Sequence, residues 1–408
     1  MRFEENELEP EQPERKNDGI EFAFDAAYSR AMKKCTYCGM EYADDAVRCS
    51  IDGEPFTGGE PEPQPTPQPP PTDSVWRPQL IDLAQIEGAF DYKEGFSRPN
   101  WKLIAKAIEQ TISSEDLPDA WAEAALEWAE QVRRDLGGEY HVRWSKEFIL
   151  VSGLEAEAAD QFLAFAEGTL EQINATLKDA AWRSGQGKHV ILLFADEDDY
   201  YQYVSYFNRD GIHPTSGGCL IHKDYVHIAM PYHDGRSIRR VLVHELVHNS
   251  VVHLRLPLWL NEGLAVVLDR AAAVWRQTIL DHDLRDRHLA YWNAENIQRF
   301  WSGVSFTEPG DSNELSYSLA EIIVNLLLGQ SKEFVAFLKQ AHWEDAGQTA
   351  ALDVLGADLG QTAATFLGDG NWRPNRKAMV ACWKAAQAAD EGGPHSGISS
   401  DPTGWPAK

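Results

Sequence analysis

The alternation of apolar and polar residues divides the chain into a mixture of helices and strands. Helical periodicity runs through four segments, residues 101–137, 155–181, 315–342 and 348–367. Buried or half-buried strands are predicted at residues 147–153, 188–194 and 226–230. The tryptophan stripe of 101–137 is typical of a core helix, with a partner-binding surface as the alternative. The pattern predicts an α+β fold, with a small mixed or antiparallel sheet followed by a mostly helical C-terminal half.

Shifts in composition divide the chain of 408 residues into five parts, the longest of which can bury a sizeable core. They are a disordered acidic N-terminus (1–30), a small cysteine-containing module (31–56), a proline-rich linker (57–74), a main domain (75–388) and a disordered tail (389–408).

Charge narrows the range of partners. Asp and Glu outnumber Lys and Arg by 64 to 37, which gives a formal net charge of −27. Nucleic acids and anionic membranes both require a basic surface, so neither is an expected partner. The chain has no apolar run long enough to span a membrane and begins without the features of a signal peptide. Its five cysteines do not form a disulfide framework, and we expect a cytoplasmic location.

The segment HELVH in residues 241–268 carries the strongest chemical signal. Positions i and i+4 project from one face of a helix, so the imidazoles of His244 and His248 can bind one metal ion. Glu262, in the segment WLNEGLA of a second helix predicted at 261–269, can supply a carboxylate ligand. Two histidines, one glutamate and a position open to water are typical of a catalytic zinc site.

Glu245 follows His244 on the same helix, which directs its carboxylate beside the metal rather than at it. A bound zinc ion acidifies water, and Glu245 is placed to take the proton and pass it to a leaving amine. The alternative is a helix with incidental histidines, because HExxH is a short pattern. Glu262 in its context weighs against that alternative, and the residues predict hydrolysis of peptide bonds.

Together, HELVH and WLNEGLA resemble the gluzincins, the metallopeptidases typified by thermolysin and the zinc aminopeptidases. The resemblance covers about residues 190–330 and implies His244, His248 and Glu262 as zinc ligands and Glu245 as the general base. The 13 residues between His248 and Glu262 are fewer than in those two groups and closer to the compact peptidase MA-like domains. These motifs are specific for metal binding and not for a substrate.

The resemblance has three further implications. Val266 stands where thermolysin-type enzymes carry an acidic residue that orients a histidine, so we expect Asp269, Asn249 or backbone carbonyls to take that role. The strand at 226–230 would be the edge strand against which a peptide lies, or else an ordinary core strand. Tyr317 would stabilise the oxyanion, or else anchor its helix in the core.

Further histidines near these motifs are His227, His233, His253, His282 and His288. The first two are close to the site in sequence. His253 is five residues after His248 and points off the shared face, so Glu262 is the preferred third ligand. The last two lie in a charged segment and are predicted to be exposed.

A second metal site is predicted near the N-terminus. Cys35-x-x-Cys38-Gly is typical of a zinc knuckle, and Cys49 and Asp52 follow at the spacing of a second knuckle whose last cysteine is replaced. These four residues could hold a structural zinc ion, more weakly than four thiolates. The alternative is a degenerate ribbon without metal. A segment this small needs a staple even to fold. We expect its role to be the docking of a protein partner.

These patterns predict a zinc metallopeptidase that acts on a peptide or protein substrate. It would use one catalytic zinc ion and, if the ribbon binds metal, one structural zinc ion. The alternative is a catalytically inactive zinc-binding or interaction protein, which docks partners through the ribbon and its helical surface.

Overall fold

A computed structural model describes residues 32–34, 41–43, 80–182, 187–207, 217–223, 225–272, 282–330 and 333–392. The predicted acidic N-terminus, the proline-rich linker and the tail beyond residue 392 lie outside these ranges. So do the predicted ribbon ligands, Cys35, Cys38, Cys49 and Asp52, and their zinc site stays a prediction.

The described residues form an α+β fold, as the sequence predicts. The strands are β1 (Met32–Lys34), β2 (Glu41–Ala43), β3 (Phe90–Lys93), β4 (Phe96–Pro99), β5 (His141–Trp144), β6 (Phe148–Ser152), β7 (His189–Phe194), β8 (Cys219–Ile221) and β9 (His227–Pro231). The helices are α1 (Trp101–Thr111), α2 (Leu117–Leu136), α3 (Ala156–Leu177), α4 (Glu197–Ser205), α5 (Gly235–Val251), α6 (Leu258–Ala272), α7 (His282–Tyr291), α8 (Ile297–Trp301), α9 (Asp311–Gln330), α10 (Phe334–Gln340), α11 (Gln348–Ala350), α12 (Leu359–Leu367) and α13 (Arg376–Gly392). None of these helices is long and apolar enough to cross a membrane.

A five-stranded sheet with the order β5-β6-β7-β9-β8 organises the fold. Strands β6, β7 and β9 are parallel, whereas β5 and β8 pair antiparallel at the two ends. Helix α3 connects β6 to β7. Parallel strands are covered on both faces, which explains why β6 and β7 are continuous apolar runs with every residue buried.

The position of the edge strand differs from the prediction. The strand predicted at 226–230 as the edge is β9, which lies between β7 and β8 and is buried along its whole length. The described edge on this side is β8, which pairs antiparallel with β9. With three residues, β8 is too short to show an alternating pattern in the sequence.

Alternate side chains of the central strands enter two separate cores. Ile149, Val190 and Leu192 face a core shared with α1, α2, α4 and the β3–β4 hairpin. Leu150 and Ile191 face a second core shared with α3, α5, α6 and α9. This division follows from the two-residue repeat of a strand. The tryptophans of α1 and α2 are buried in the first core, which confirms that their stripe is a core surface.

The second core positions two consecutive helices against a third. Asp234 caps α5 by accepting from the Ser237 amide at 2.9 Å. A short connection, residues 252–257, leads from α5 to α6, which begins three residues before the predicted helix. Gly263 lets α6 approach α9 closely, because a Cβ atom there would lie 2.7 Å from the Ala320 carbonyl oxygen. The carboxylate of Glu262 and the ring of Tyr317 are thereby brought to neighbouring positions.

Candidate metal centre

Helix α5 presents two histidines on one face. His244 and His248 lie one turn apart, and their ring centroids are 4.6 Å apart with the ring planes nearly perpendicular at 85°. Apolar neighbours on the helix, Leu242, Leu246 and Val247, are buried in the core and fix its rotation. The helix therefore directs both imidazoles toward the following helix, α6.

The three predicted ligands converge on a common point. The Glu262 Oε2 atom lies 3.3 Å from His244 Nε2 and 3.5 Å from His248 Nε2. One ligand atom from each residue lies within 4.8 Å of the other two. Ligand atoms about 2.0–2.1 Å from a tetrahedral zinc ion are roughly 3.3 Å from one another. The observed spacing fits such an ion.

Two polar side chains orient the imidazoles from behind. His244 Nδ1 lies 3.3 Å from Asp269 Oδ2, and His248 Nδ1 lies 3.1 Å from Asn261 Oδ1. Because these oxygens accept, each Nδ1 carries a proton, which leaves Nε2 as the ring nitrogen that can bind a metal ion at the common point. Asp269 was among the expected orienting residues. Asn249 was too, but its amide instead lies 3.0 Å from His189 Nδ1.

Charge at the centre favours a cation. Glu262 Oε2 is buried without a hydrogen-bond partner among the described residues. Burial on its own would lower the pKa of His244, but the adjacent carboxylates of Asp269 and Glu262 raise that pKa to about 10. Burial would likewise raise the pKa of Glu262, but the charge of His248 and the proximity of both imidazoles hold that pKa far below its ordinary value. The surroundings thus stabilise positive charge where the ligand atoms meet.

Glu245 is buried beside this point but is not one of the three converging residues. Burial, followed by the charge of Glu245, raises the pKa of the Cys219 thiol on β8 to about 12. The negative charge of Glu245 also raises the pKa of Tyr317. Glu245 therefore lies on the helix that carries both candidate histidine ligands, and that helix also contacts the edge strand β8.

Tyr317 reaches the centre from α9. The negative charge of Glu262, together with burial, raises the pKa of Tyr317 well above its ordinary value. The phenol consequently stays protonated as a donor. Its ring also packs edge-on against Phe306, with centroids 5.2 Å apart. The side chain thus has the contacts expected both for a core anchor and for a donor at the centre.

The other histidines named from the sequence lie away from the centre. His253 contacts the Trp182 ring, and His233 lies 3.6 Å from Glu197. The prediction that His288 is exposed is wrong, because its ring is fully buried between Trp292 and Ser318. The sequence did not predict this burial, because the neighbouring residues are charged and occupy the outer face of α7. The side chain of His282 lies outside the described residues.

Sequence reasoning missed three residues near the centre. Asn261 precedes Glu262 and orients His248. His222 follows β8, and burial together with the charge of His248 lowers the pKa of His222 to about 4. Arg240 lies one turn before His244, and its Nε donates to Asp269 Oδ1 at 3.3 Å. Helical spacing alone could have revealed Arg240, because i and i+4 share a face.

Comparison with protein-family models, with curated proteins and with solved structures found no significant match to this chain. The resemblance to the gluzincins therefore depends on the two sequence motifs and on the chemistry of the residues they contain. What it implies about activity is taken up as a proposal.

Proposed function

We propose that this chain is a zinc-dependent peptidase. One observation carries the proposal: a buried Glu262 oxygen without a hydrogen-bond partner among the described residues lies 3.3 and 3.5 Å from two imidazole Nε2 atoms. A buried carboxylate oxygen that accepts no hydrogen bond is costly unless a cation lies beside it. Two histidines and one carboxylate are the ligand set of catalytic rather than structural zinc sites.

The chain's own residues divide the chemistry between them. When bound, zinc supplies a Lewis acid that acidifies water and polarises a carbonyl group. Glu245 accepts the proton of the attacking water and later donates it to the amine that leaves. The Tyr317 hydroxyl donates a hydrogen bond to the oxygen on which negative charge develops. Asp269 and Asn261 keep the two imidazoles in the tautomer that binds metal.

The edge strand favours an extended peptide as the substrate. Strand β8 ends the described sheet on the side of α5, so a peptide added beside it would extend the sheet by backbone hydrogen bonds. Helix α5, which carries Glu245, contacts β8, and this supports a base close to the line that such a peptide would follow. Pairing with the substrate, expected for residues 226–230, is therefore proposed for Cys219–Ile221.

The test combines metal analysis with turnover. Zinc content and cleavage of a mixed peptide library, followed by mass spectrometry, would be measured for the native chain, Glu245→Gln and Glu130→Gln. Glu130 lies on α2 and pairs with Arg133, so it serves as a matched control. We expect Glu245→Gln to retain zinc and to lose turnover by about 100- to 10,000-fold, with Glu130→Gln unchanged.

Two outcomes would reject the proposal. Zinc bound by a native chain that cleaves no peptide would favour an inactive zinc-binding protein. Absence of zinc in chains carrying intact His244, His248 and Glu262 would show that the three residues are not a metal site.

A further inference from the structure

A cavity of about 450 Å³ opens beside the metal centre. Its walls include His244 and Tyr317, together with Arg240, Asp269 and Arg270. The volume falls in the range of about 300–1,000 Å³ typical of small-molecule sites. Because one wall is a proposed zinc ligand, a group bound there lies close to the bond that the proposed peptidase would cleave.

Arg240 is hydrogen-bonded at this cavity to the same carboxylate that orients a proposed zinc ligand. Its Nε donates to Asp269 Oδ1 at 3.3 Å, while Asp269 Oδ2 lies 3.3 Å from His244 Nδ1. Asp269 is 2% exposed, so its position is fixed by the surrounding protein. One carboxylate therefore links the guanidinium to the proposed metal centre.

The outer part of this guanidinium is available to a ligand. Its Nη1 and Nη2 atoms make no hydrogen bond with any residue that the structure describes, and the side chain is 53% exposed. The other charged groups of the cavity wall already have partners. Arg270 pairs with Glu321, and Glu314 accepts two hydrogen bonds from Arg287.

The carboxylates of the cavity wall therefore have positively charged partners, whereas the Arg240 guanidinium has N–H donors available for a ligand. Such a planar fork matches the two oxygens of a carboxylate, which it can bind through parallel N–H···O bonds. The chain carries a formal net charge of −27, so an acidic group needs a local cation to approach it.

We propose that Arg240 binds a carboxylate of the peptide substrate in this cavity. The inference rests on the proposed peptidase function and adds a substrate class to it. The carboxylate could belong to an acidic side chain beside the cleaved bond or to the free C-terminus of a short peptide. Both present the same chemistry to the guanidinium, and matched peptides distinguish them.

The experiment compares cleavage of peptide pairs by the zinc-loaded full chain. One pair differs only by Glu or Gln beside the cleaved bond, and the other ends in a free acid or an amide. We expect native kcat/KM to be about tenfold higher for the carboxylate member of one pair, mainly through KM. In Arg240→Gln this ratio should fall to near one. Because it is a ratio, a general loss of activity cancels.

Two further variants separate recognition from structural damage. Arg239→Gln is the matched control, because the neighbouring Arg239 faces Phe165 with its guanidinium 5.1 Å from that ring, and it should keep the native ratio. Arg240→Lys keeps the charge without the fork, so we expect an intermediate ratio. Zinc content, measured for every variant, reports any indirect damage through Asp269.

Each outcome has a distinct meaning. A native preference for Glu over Gln identifies the side chain as the bound group, and a preference for acid over amide identifies the C-terminus. Equal cleavage within both pairs, or a preference that survives in Arg240→Gln, overturns the assignment of Arg240 and leaves the peptidase proposal standing. Absence of any Glu245-dependent cleavage overturns the peptidase proposal, and the assignment fails with it.

Discussion

Two histidine sites lie on opposite faces of the central sheet, and the groups that surround them differ. His227 on β9 is surrounded by aromatic rings, with the Trp128 ring centroid 5.0 Å away. Its Nδ1 lies 2.7 Å from the Tyr225 carbonyl oxygen, and its Nε2 lies 2.8 Å from the Tyr203 hydroxyl. His244 on α5 lies instead among carboxylates.

Surroundings, rather than burial, decide the charge that each ring prefers. Burial lowers the pKa of His227 to about 3, so this ring stays neutral and structural. The carboxylates of Asp269 and Glu262 overcome the effect of burial at His244 and raise its pKa to about 10. A histidine whose surroundings stabilise positive charge is a candidate metal ligand. A histidine packed against tyrosine and tryptophan is part of the core.

The largest expected effect separates the two sites by metal content. In a Cys35→Ser background, which removes a predicted ribbon ligand, we expect His248→Ala to lose about one zinc equivalent per chain, because three protein ligands are needed. His227→Ala should destabilise the chain and retain the zinc. Metal analysis after dialysis measures both. Equal zinc loss in the two variants would contradict the division between a metal-binding and a structural histidine.

The second prediction concerns the residues behind the ligands. Asp269→Ala should weaken zinc binding by about 10- to 100-fold, because the His244 imidazole loses the carboxylate that orients it. Asn249→Ala is the control, since Asn249 follows His248 but bonds to His189 instead. Competition with a chelator measures the affinity. Comparable weakening in both variants would mean that burial near α5, and not orientation, sets the affinity.

A third prediction tests the close approach of α6 and α9. Gly263→Ala should lower the free energy of unfolding by about 1–3 kcal/mol, because its Cβ would overlap the Ala320 carbonyl group. Gly329→Ala on α9 has open space around it and should be neutral or stabilising. Urea unfolding measures both. A neutral Gly263→Ala would show that the two helices tolerate separation.

The smallest effect is a pH dependence that belongs to the aromatic site. Below a pH of about 6.5 the unfolded chain protonates His227, whereas the folded protein does so only near pH 3. The stability due to the neutral ring is therefore complete above pH 6.5 and is lost as pH falls through this window. Between pH 7 and pH 5 we expect a loss of about 1–2 kcal/mol.

Urea unfolding at several pH values measures this loss, and His227→Gln isolates it. The variant should show a shallower decrease below pH 6.5, whatever its stability at neutral pH. An unchanged slope would mean that His227 does not stay neutral in the folded protein.

The convergence of the three candidate ligands was largely predictable because its signal is local. His244, Glu245 and His248 lie within about one helical turn, and Glu262 follows on the next helix, which packs against the first after a short connection. The α+β class and the buried strands β6 and β7 were predictable for a similar reason, since apolar runs and helical periodicity are read directly from the sequence.

The remaining features depend on contacts between distant segments. The edge position of β8 is decided by which strands pair, and the burial of His288 by how α7 packs against α9. The β3–β4 hairpin was not predicted either. In the structure its turn residues, Glu94 and Gly95, both have the positive φ of a two-residue hairpin turn. The role of Tyr317 was only partly predictable. Because Tyr317 is far from the HELVH segment along the chain, the sequence allows it to be either an oxyanion stabiliser or a core anchor.

The short connection between α5 and α6 has a consequence for biosynthesis. Closing so small a loop costs little chain entropy, so the two histidines and the glutamate can meet as soon as both helices have emerged from the ribosome. The Tyr317 phenol emerges much later, with α9. If the proposed function holds, arrested Cys35→Ser chains that end after residue 272 should already retain zinc, before Tyr317 has been synthesised.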